Sequence, residues 1–305
     1  MSANLSGFRH TRGFDLMKPL SITVMVGIML PLILLPLASI FIFGTSSGLG
    51  KFLGALRAPE AIFALKLSIV TSFWATVFNV LFGLFAAYVL SKYNFWGRNA
   101  VIVIISLPTA IPTAVAGFAL LLLWGPYGIL GKYLEPLSTV LLHFKHWVAQ
   151  YSDFLAYYVP TQTQVMFTAW AIILANIFVT FPLAFGVIKP VFDTMSQSLE
   201  EASATMGASR WQTFWHITLP SLRGAIVGGA LLTFARAVGE YGSVVFIAGN
   251  MPMKTEIVPL LIITKLEQYD YRGATAIAVV MLVISFVMLL LINGLQRWSR
   301  GANAR

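Results

Sequence analysis

Six apolar runs, at about 20–43, 62–90, 100–124, 165–188, 224–248 and 274–296, dominate this chain of 305 residues. Each reaches the roughly 20 residues that a helix needs to cross the hydrocarbon core of a bilayer. None alternates with the period of two that marks barrel strands. Only 10% of the residues are charged and 58% are hydrophobic, against about 25% charged in a soluble domain. Such a chain cannot cover a surface with water-facing groups. The expected fold is an all-α integral membrane protein with six transmembrane helices. The second run is long enough to tilt or to project past the bilayer. The first exceeds the roughly 7–15 residues of a signal-peptide core and reads as a retained span after a polar, basic segment 1–19.

Lys and Arg set the expected orientation. With the N-terminus inside, the inner segments carry eleven of them and the outer segments seven. Both termini, 1–19 and the tail 297–305, are therefore expected on the cytoplasmic side of a permease domain 20–296, and so is the connection 189–223. The connection 125–164 falls outside. Its mixture of Tyr, Trp, His and Leu reads as interfacial helix. His143 and His146 lie there without a carboxylate or thiol to complete a metal set. The net charge of +9 comes from single basic residues scattered through connections. That pattern fits topology and anionic lipid, not nucleic acid. Cysteine is absent, which excludes disulfides and thiolate chemistry.

Two glycine–lysine pairs resemble a phosphate loop only superficially. Counting back from Gly50-Lys51 and Gly131-Lys132, the first glycine of the motif is replaced by Thr45 and Pro126. The hydroxyl that would hold magnesium is replaced by Phe52 and Tyr133. Without backbone amides and hydroxyl in that arrangement, the chain is not expected to hydrolyse nucleotide, and no cofactor or metal is assigned to it.

Three features inside the apolar runs call for explanation. Arg236 and Glu240 are spaced i,i+4, so on a helix they share one face near mid-bilayer. Charges there face a cavity or each other. They read either as a packing ion pair or as part of a pathway, with Gly239 and Gly242 flanking Glu240 and weakening the helix there. Gly224 and Gly228 read as a face for close helix packing. In LPTAIPTAVAG, Pro108 and Pro112 each remove a backbone donor, and Thr109 and Thr113 can serve the freed groups. The result is a kinked span or a wall of the substrate path.

The most structured polar stretch is EEASATMGASRWQTFWHITLP, residues 200–220. Ser198-x-x-Glu201 and Ser209-x-x-Gln212 both fit a capping box, and Gly207 sits where a helix ends in a left-handed residue. These signals give a helix, a sharp turn and a second helix leading into the span after Pro220. Ala202, Ser203, Ala204 and Ala208 are small, as close docking against another protein requires.

The spacing Glu201-Ala202-Ser203, Gly207, Ile217, Leu219-Pro220 resembles the EAA loop of ABC importer permeases, with Ser203 where the third alanine usually stands. LPTAIPTAVAG, FARAVGEYGSVVFIAGN, KTEIVPL and LEQYDYRGATAIA are similar to permeases of the sulfate/thiosulfate type. Molybdate permeases share the segment Gly239 to Gly242. The connection 125–164 is longer than that pattern. The resemblance implies a type I importer permease in a bacterial inner membrane, or a chloroplast envelope if plastid-encoded. It implies a coupling helix seated in a separate ATPase that holds ATP and magnesium. A second, W-type permease subunit and an external sulfate/thiosulfate-binding protein complete the assembly. The competing readings are a molybdate or tungstate permease, a secondary anion transporter with Arg236 and Glu240 as a proton relay, and a membrane scaffold.

Overall fold

The computed structural model describes residues 17–46, 48–125, 127–133, 143, 145–150, 165–195 and 197–303, with the backbone alone at 17, 18, 20, 49, 197–200 and 295–303. The elements that organise it are α1 (Met17–Thr45), α2 (Leu49–Arg57), α3 (Pro59–Lys92), α4 (Arg98–Ala110) and α5 (Thr113–Trp124). They continue with α6 (Ala169–Thr194), α7 (Gln197–Thr205), α8 (Arg210–Val238), α9 (Gly242–Ala248), α10 (Val258–Glu267) and α11 (Tyr271–Asn303). No strand occurs among the described residues. Five helices are long and apolar enough to cross a membrane, and the bent pair α4 and α5 counts as a sixth if taken as one span.

The core is the contact of α3 with α6, crossed by α8. Lipid gives no hydrophobic drive for helices to associate, so contact depends on close fit and hydrogen bonds. On α3 the buried stripe is small: Ala61, Ala64, Ser68, Ala75, Asn79, Gly83 and Ala87. At Gly83 an added Cβ would lie 3.4 Å from the Phe185 backbone nitrogen. Asn79 and Thr180, both fully buried, join α3 to α6 at 2.8 Å. Helix α8 meets α6 at Gly229, where a Cβ would sit 3.5 Å from the Ala184 carbonyl oxygen. Gly228 is buried too, but an added Cβ there meets nothing within 4 Å, so it makes no approach as close as that of Gly229. Helix α1 lies outside the core against α11 and α2, with Ile22, Leu32, Leu35 and Ile42 turned outward.

Two expected spans differ in the structure. The run 100–124 is a break, not a kink: α4 and α5 meet at 112°. Ile111 is extended (φ −85°, ψ 135°), as the residue before a proline prefers, and Pro112 opens α5. At 1.5 Å per residue α4 covers roughly 20 Å and α5 roughly 18 Å. Neither crosses the bilayer alone. Pro108, by contrast, stays inside α4, and the Thr109 hydroxyl donates to the Ser106 carbonyl (2.6 Å).

The run 224–248 is not one helix either. Its span begins at Arg210, and a π turn at Phe214–Thr218 carries the chain through Pro220. There the Leu219 amide donates to the Phe214 carbonyl, five residues back. Widening the helix just before Pro220 accommodates a residue with no N–H and a bulky ring. The helix stops at Val238, and α9 begins only at Gly242.

Beyond α9 the chain re-enters the bundle. The Val258 amide donates to Ser68 Oγ (2.9 Å), and Lys265 meets Glu60 at 3.2 Å. Residues 60 and 68 are roughly 12 Å apart along α3, so α10 runs back along α3 towards its first turn. The loop before it is buried at Thr255 and Glu256. Irregular backbone at that depth must satisfy itself within the protein; the amides of Lys254, Thr255 and Glu256 all turn to the Met251 carbonyl.

At the other end, α11 continues to Asn303, so residues 297–303 are helical. Residues 1–16, 126, 134–142, 144 and 151–164 lie outside the described residues, which takes in most of the 125–164 connection. Among the described residues no group of three or more metal-binding side chains occurs, at His143 and His146 or elsewhere.

Candidate functional site

The stretch around Gly207 folds as a helical hairpin. Helix α7 ends in a Schellman turn: the Gly207 amide donates to Ala204 O (3.0 Å) and the Ala208 amide to Ser203 O (3.1 Å), with Gly207 at φ 81°. Glycine carries that left-handed conformation without the steric cost of a side chain. Ser209 then starts α8 with both arms of a capping box: Ser209 N–H to Gln212 Oε1 (2.8 Å) and Gln212 N–H to Ser209 Oγ (3.3 Å). The second proposed box rests on the Ser198 side chain, which lies outside the described side chains.

The hairpin divides its small residues between two tasks. Ala202 and Ala204 are exposed, but Ser203 is only 1% exposed, with its Oγ 2.6 Å from Thr213 Oγ1. Ser203 therefore fastens α7 to α8 and is not exposed as its neighbours are. Met206, beside the turn, is 80% exposed and forms the tip. Glu201 lines a cleft of about 400 Å³ behind the hairpin with Lys92, Arg210 and Tyr88. Tyr88 meets Phe214 and Phe192 edge to face, which seats the hairpin on the α3–α6 core. Ile217 and Leu219 are half-buried and Pro220 exposed, so this end of the motif shapes the entry into α8.

Helix α8 links this hairpin to the charged pair. From Arg210 to Arg236 it advances roughly 39 Å. Arg236 Nη1 lies 2.6 Å from Glu240 Oε2, but Glu240 is beyond the end of α8. Its other oxygen accepts from the Ser243 amide (3.0 Å) and hydroxyl (2.9 Å), so the carboxylate also caps the start of α9. The two charges are unequal in exposure: Glu240 is 1% exposed and Arg236 40%. The carboxylate is held by three donors, whereas the guanidinium, a fork of five N–H donors, presents part of itself to open space.

The broken helices meet beside the pair. An added Cβ at Gly242 would collide with Thr113 Oγ1, and one at Gly117 would lie 2.7 Å from Ser243 Cα. The start of α5 and the start of α9 thus touch backbone to backbone. Gly239 is exposed and has no such constraint. Pro112, Thr113, Glu240 and Gly242 are brought together; Pro108 and Thr109 remain up α4. Sequence reasoning missed Ser243 and Gly117. The three-residue spacing Glu240-x-x-Ser243 was the available signal for the first. Nothing local marked the second, because its partner is 126 positions away. Gly117→Ala is expected to lower the thermal midpoint of the detergent-solubilised protein, by about 1–3 kcal/mol of overpacking. Gly228→Ala, with open space, should leave it unchanged or raise it slightly.

The profile of the family described as binding-protein-dependent transport system inner membrane component matches residues 79–301, from mid-α3 through α11. The chain belongs to this family. The permease is 36% identical over 272 residues to the sulfate transport system permease protein CysT of Synechococcus elongatus, covering 89% of each chain. It is 34% identical to the protein of that name in Escherichia coli, over 87% of each chain. For the Synechocystis CysT the values are 34% and 98% of each. In fold it is similar to a chain in the crystal structure of a bacterial alginate ABC transporter in complex with an alginate pentasaccharide-bound periplasmic protein. The TM-score is 0.69 at 19% identity, covering 94% of this chain and 95% of that one. The permease is thus a membrane-embedded ABC transport subunit and not a catalytic one.

Proposed function

We propose that this permease forms half of the pathway of an ATP-driven importer for sulfate, with thiosulfate as a second substrate of the same shape and charge. The observation that carries the coupling half of this reading is the Gly207 hairpin. It is an exposed, internally bonded tip, continuous through α8 with an exposed guanidinium roughly 39 Å away. Sulfate comes from the names of relatives that align over nearly the whole chain.

In this reading the hairpin docks in a cytoplasmic ATPase, which alone binds ATP and magnesium. Both termini lie on the same side as the hairpin, in an inner membrane. A W-type second permease completes the pathway, and an external sulfate-binding protein delivers the anion. Arg236, balanced by Glu240, lines the path with Pro112 and Thr113. ATP and the loaded binding protein each bind one of two arrangements better, and transport follows that difference.

Uptake of labelled sulfate and molybdate into vesicles, with candidate ATPase, second permease and binding protein added one at a time, tests this. Sulfate should enter only when all are present with ATP. Uptake in the absence of the ATPase would identify a secondary transporter instead, and preference for molybdate would reassign the anion.

A further inference from the structure

Helix α7 carries the exposed tip, yet little apolar surface holds it to the bundle. Among its described side chains Glu201, Ala202, Ala204 and Thr205 are exposed, and only Ser203 is buried. On one side α7 packs against residues 210–218. On another, the cleft of about 400 Å³ that Tyr88 and Glu201 line separates it from the end of α3. The Gly207 turn fixes the last turn of α7 through its amides. The rest of the helix depends on what Ser203 holds.

That bond has a direction. Ser203 Oγ lies 2.6 Å from Thr213 Oγ1, and the Thr213 hydroxyl donates to the Ser209 carbonyl (3.2 Å). A hydroxyl carries one proton. Since that of Thr213 goes to Ser209, that of Ser203 goes to Thr213. The relay runs from α7 across to the first turn of α8, where Ser209 is itself fixed by its box with Gln212. The next residue, Phe214, opens the π turn and meets Tyr88 edge to face. Thr213 thus sits where the hairpin joins the long helix. The hydroxyl that reaches it stands where the EAA pattern usually has alanine.

We propose that Ser203 and Thr213 are positioning residues for coupling: their hydroxyl bond locks α7 to α8, so that a push on the tip moves α8 instead of folding α7 about Gly207. This rests on the reading of the hairpin as the ATPase contact. Gly207 is at φ 81° with open space where a Cβ would stand, so side-chain packing does not resist that folding at the turn. Neither residue meets ATP or the anion; both act through the placement of the tip. Losing one neutral hydrogen bond lowers the locked population roughly fivefold against the swung one. A tip that yields absorbs the ATPase movement, so hydrolysis continues while import falls.

The test compares Ser203→Ala, Thr213→Val and Thr213→Ser in the full permease, reconstituted with its partner subunits and given labelled sulfate. Thr213→Val keeps the shape and loses the hydroxyl; Thr213→Ser keeps the hydroxyl and loses the methyl. Ser203→Ala and Thr213→Val should each import roughly fivefold less sulfate per ATP hydrolysed, with the ATPase still co-purifying. Thr213→Ser should keep the normal ratio. The double variant, Ser203→Ala with Thr213→Val, should be no worse than either single one, because both remove the same bond. A normal ratio in Thr213→Val, a Thr213→Ser as defective as Thr213→Val, or additive losses in the double variant would overturn the proposal. The absence of cysteine allows a second measurement that needs no transport. Spin labels at Met206→Cys and at Trp96→Cys, fully exposed on the loop between α3 and α4, report the tip position in the full permease before the ATPase is added. Thr213→Val should broaden their distance distribution and Thr213→Ser should not. An unbroadened distribution refutes the lock and leaves the docking reading standing. Broadening with a normal import ratio establishes the lock and removes the hairpin from coupling.

Discussion

Gly207→Asp is expected to abolish ATP-driven uptake while the protein still inserts and folds. Within the chain the substitution is tolerated: an added Cβ at this position meets nothing within 4 Å. A side chain at φ 81° costs about 1–2 kcal/mol, and aspartate is among the residues that bear it best. The damage arises where the exposed tip meets its partner. There an unpaired carboxylate at the C-terminal end of α7 opposes the helix dipole and loses its water. A charge left uncompensated in an interface costs about 3 kcal/mol or more, roughly a hundredfold in binding. Uptake and ATPase stimulation, measured with protein insertion as control, separate the two effects. Gly207→Ala carries the backbone cost without the charge and should retain most activity. If Gly207→Asp transports normally, the hairpin is not the coupling element.

The second large effect is at Arg236. Arg236→Ala leaves Glu240, 1% exposed, with its two Ser243 donors but no counter-charge. Removing one member of such a pair costs about 3–5 kcal/mol, so this variant should be both less stable and inactive. Glu240→Gln keeps an acceptor for Ser243 and removes the charge, and should be the milder of the two. The informative protein is the double variant, Arg236→Ala with Glu240→Gln. It should regain much of the stability, as coupled neighbours do in a double-mutant cycle, yet remain defective in anion uptake. Restored uptake in the double variant would reduce the pair to a packing device. Thermal midpoints and initial uptake rates on the four proteins decide this.

What could be read from the sequence depended on the range of each interaction. The Gly207 turn and the Ser209 box are made within six residues, so their spacing carried their geometry. The five unbroken spans followed from length and apolarity, which the bilayer fixes. The 112° break was underestimated because Pro108 and Pro112 look alike in sequence. One sits harmlessly inside α4, while the other, preceded by an extended Ile111, ends it. The end of α8 was placed ten residues late, since Glu240 and Ser243 had to be seen bonding to each other before the apolar run could be cut there. Ser203 read as a docking residue because a small side chain suits an interface and a buried hydroxyl bond alike. Its partner, Thr213, decides which.

The seam between Gly117 and Ser243 limits how this subunit can move. With backbone against backbone, α5 cannot slide along α9 without first separating from it, and packed elements switch between discrete arrangements instead of deforming smoothly. The two broken helices therefore behave as one leaf of a double door, packed together on α6. A single leaf encloses no passage. In the proposed assembly the opening is the edge where this leaf meets that of the second permease, and the solute passes between chains.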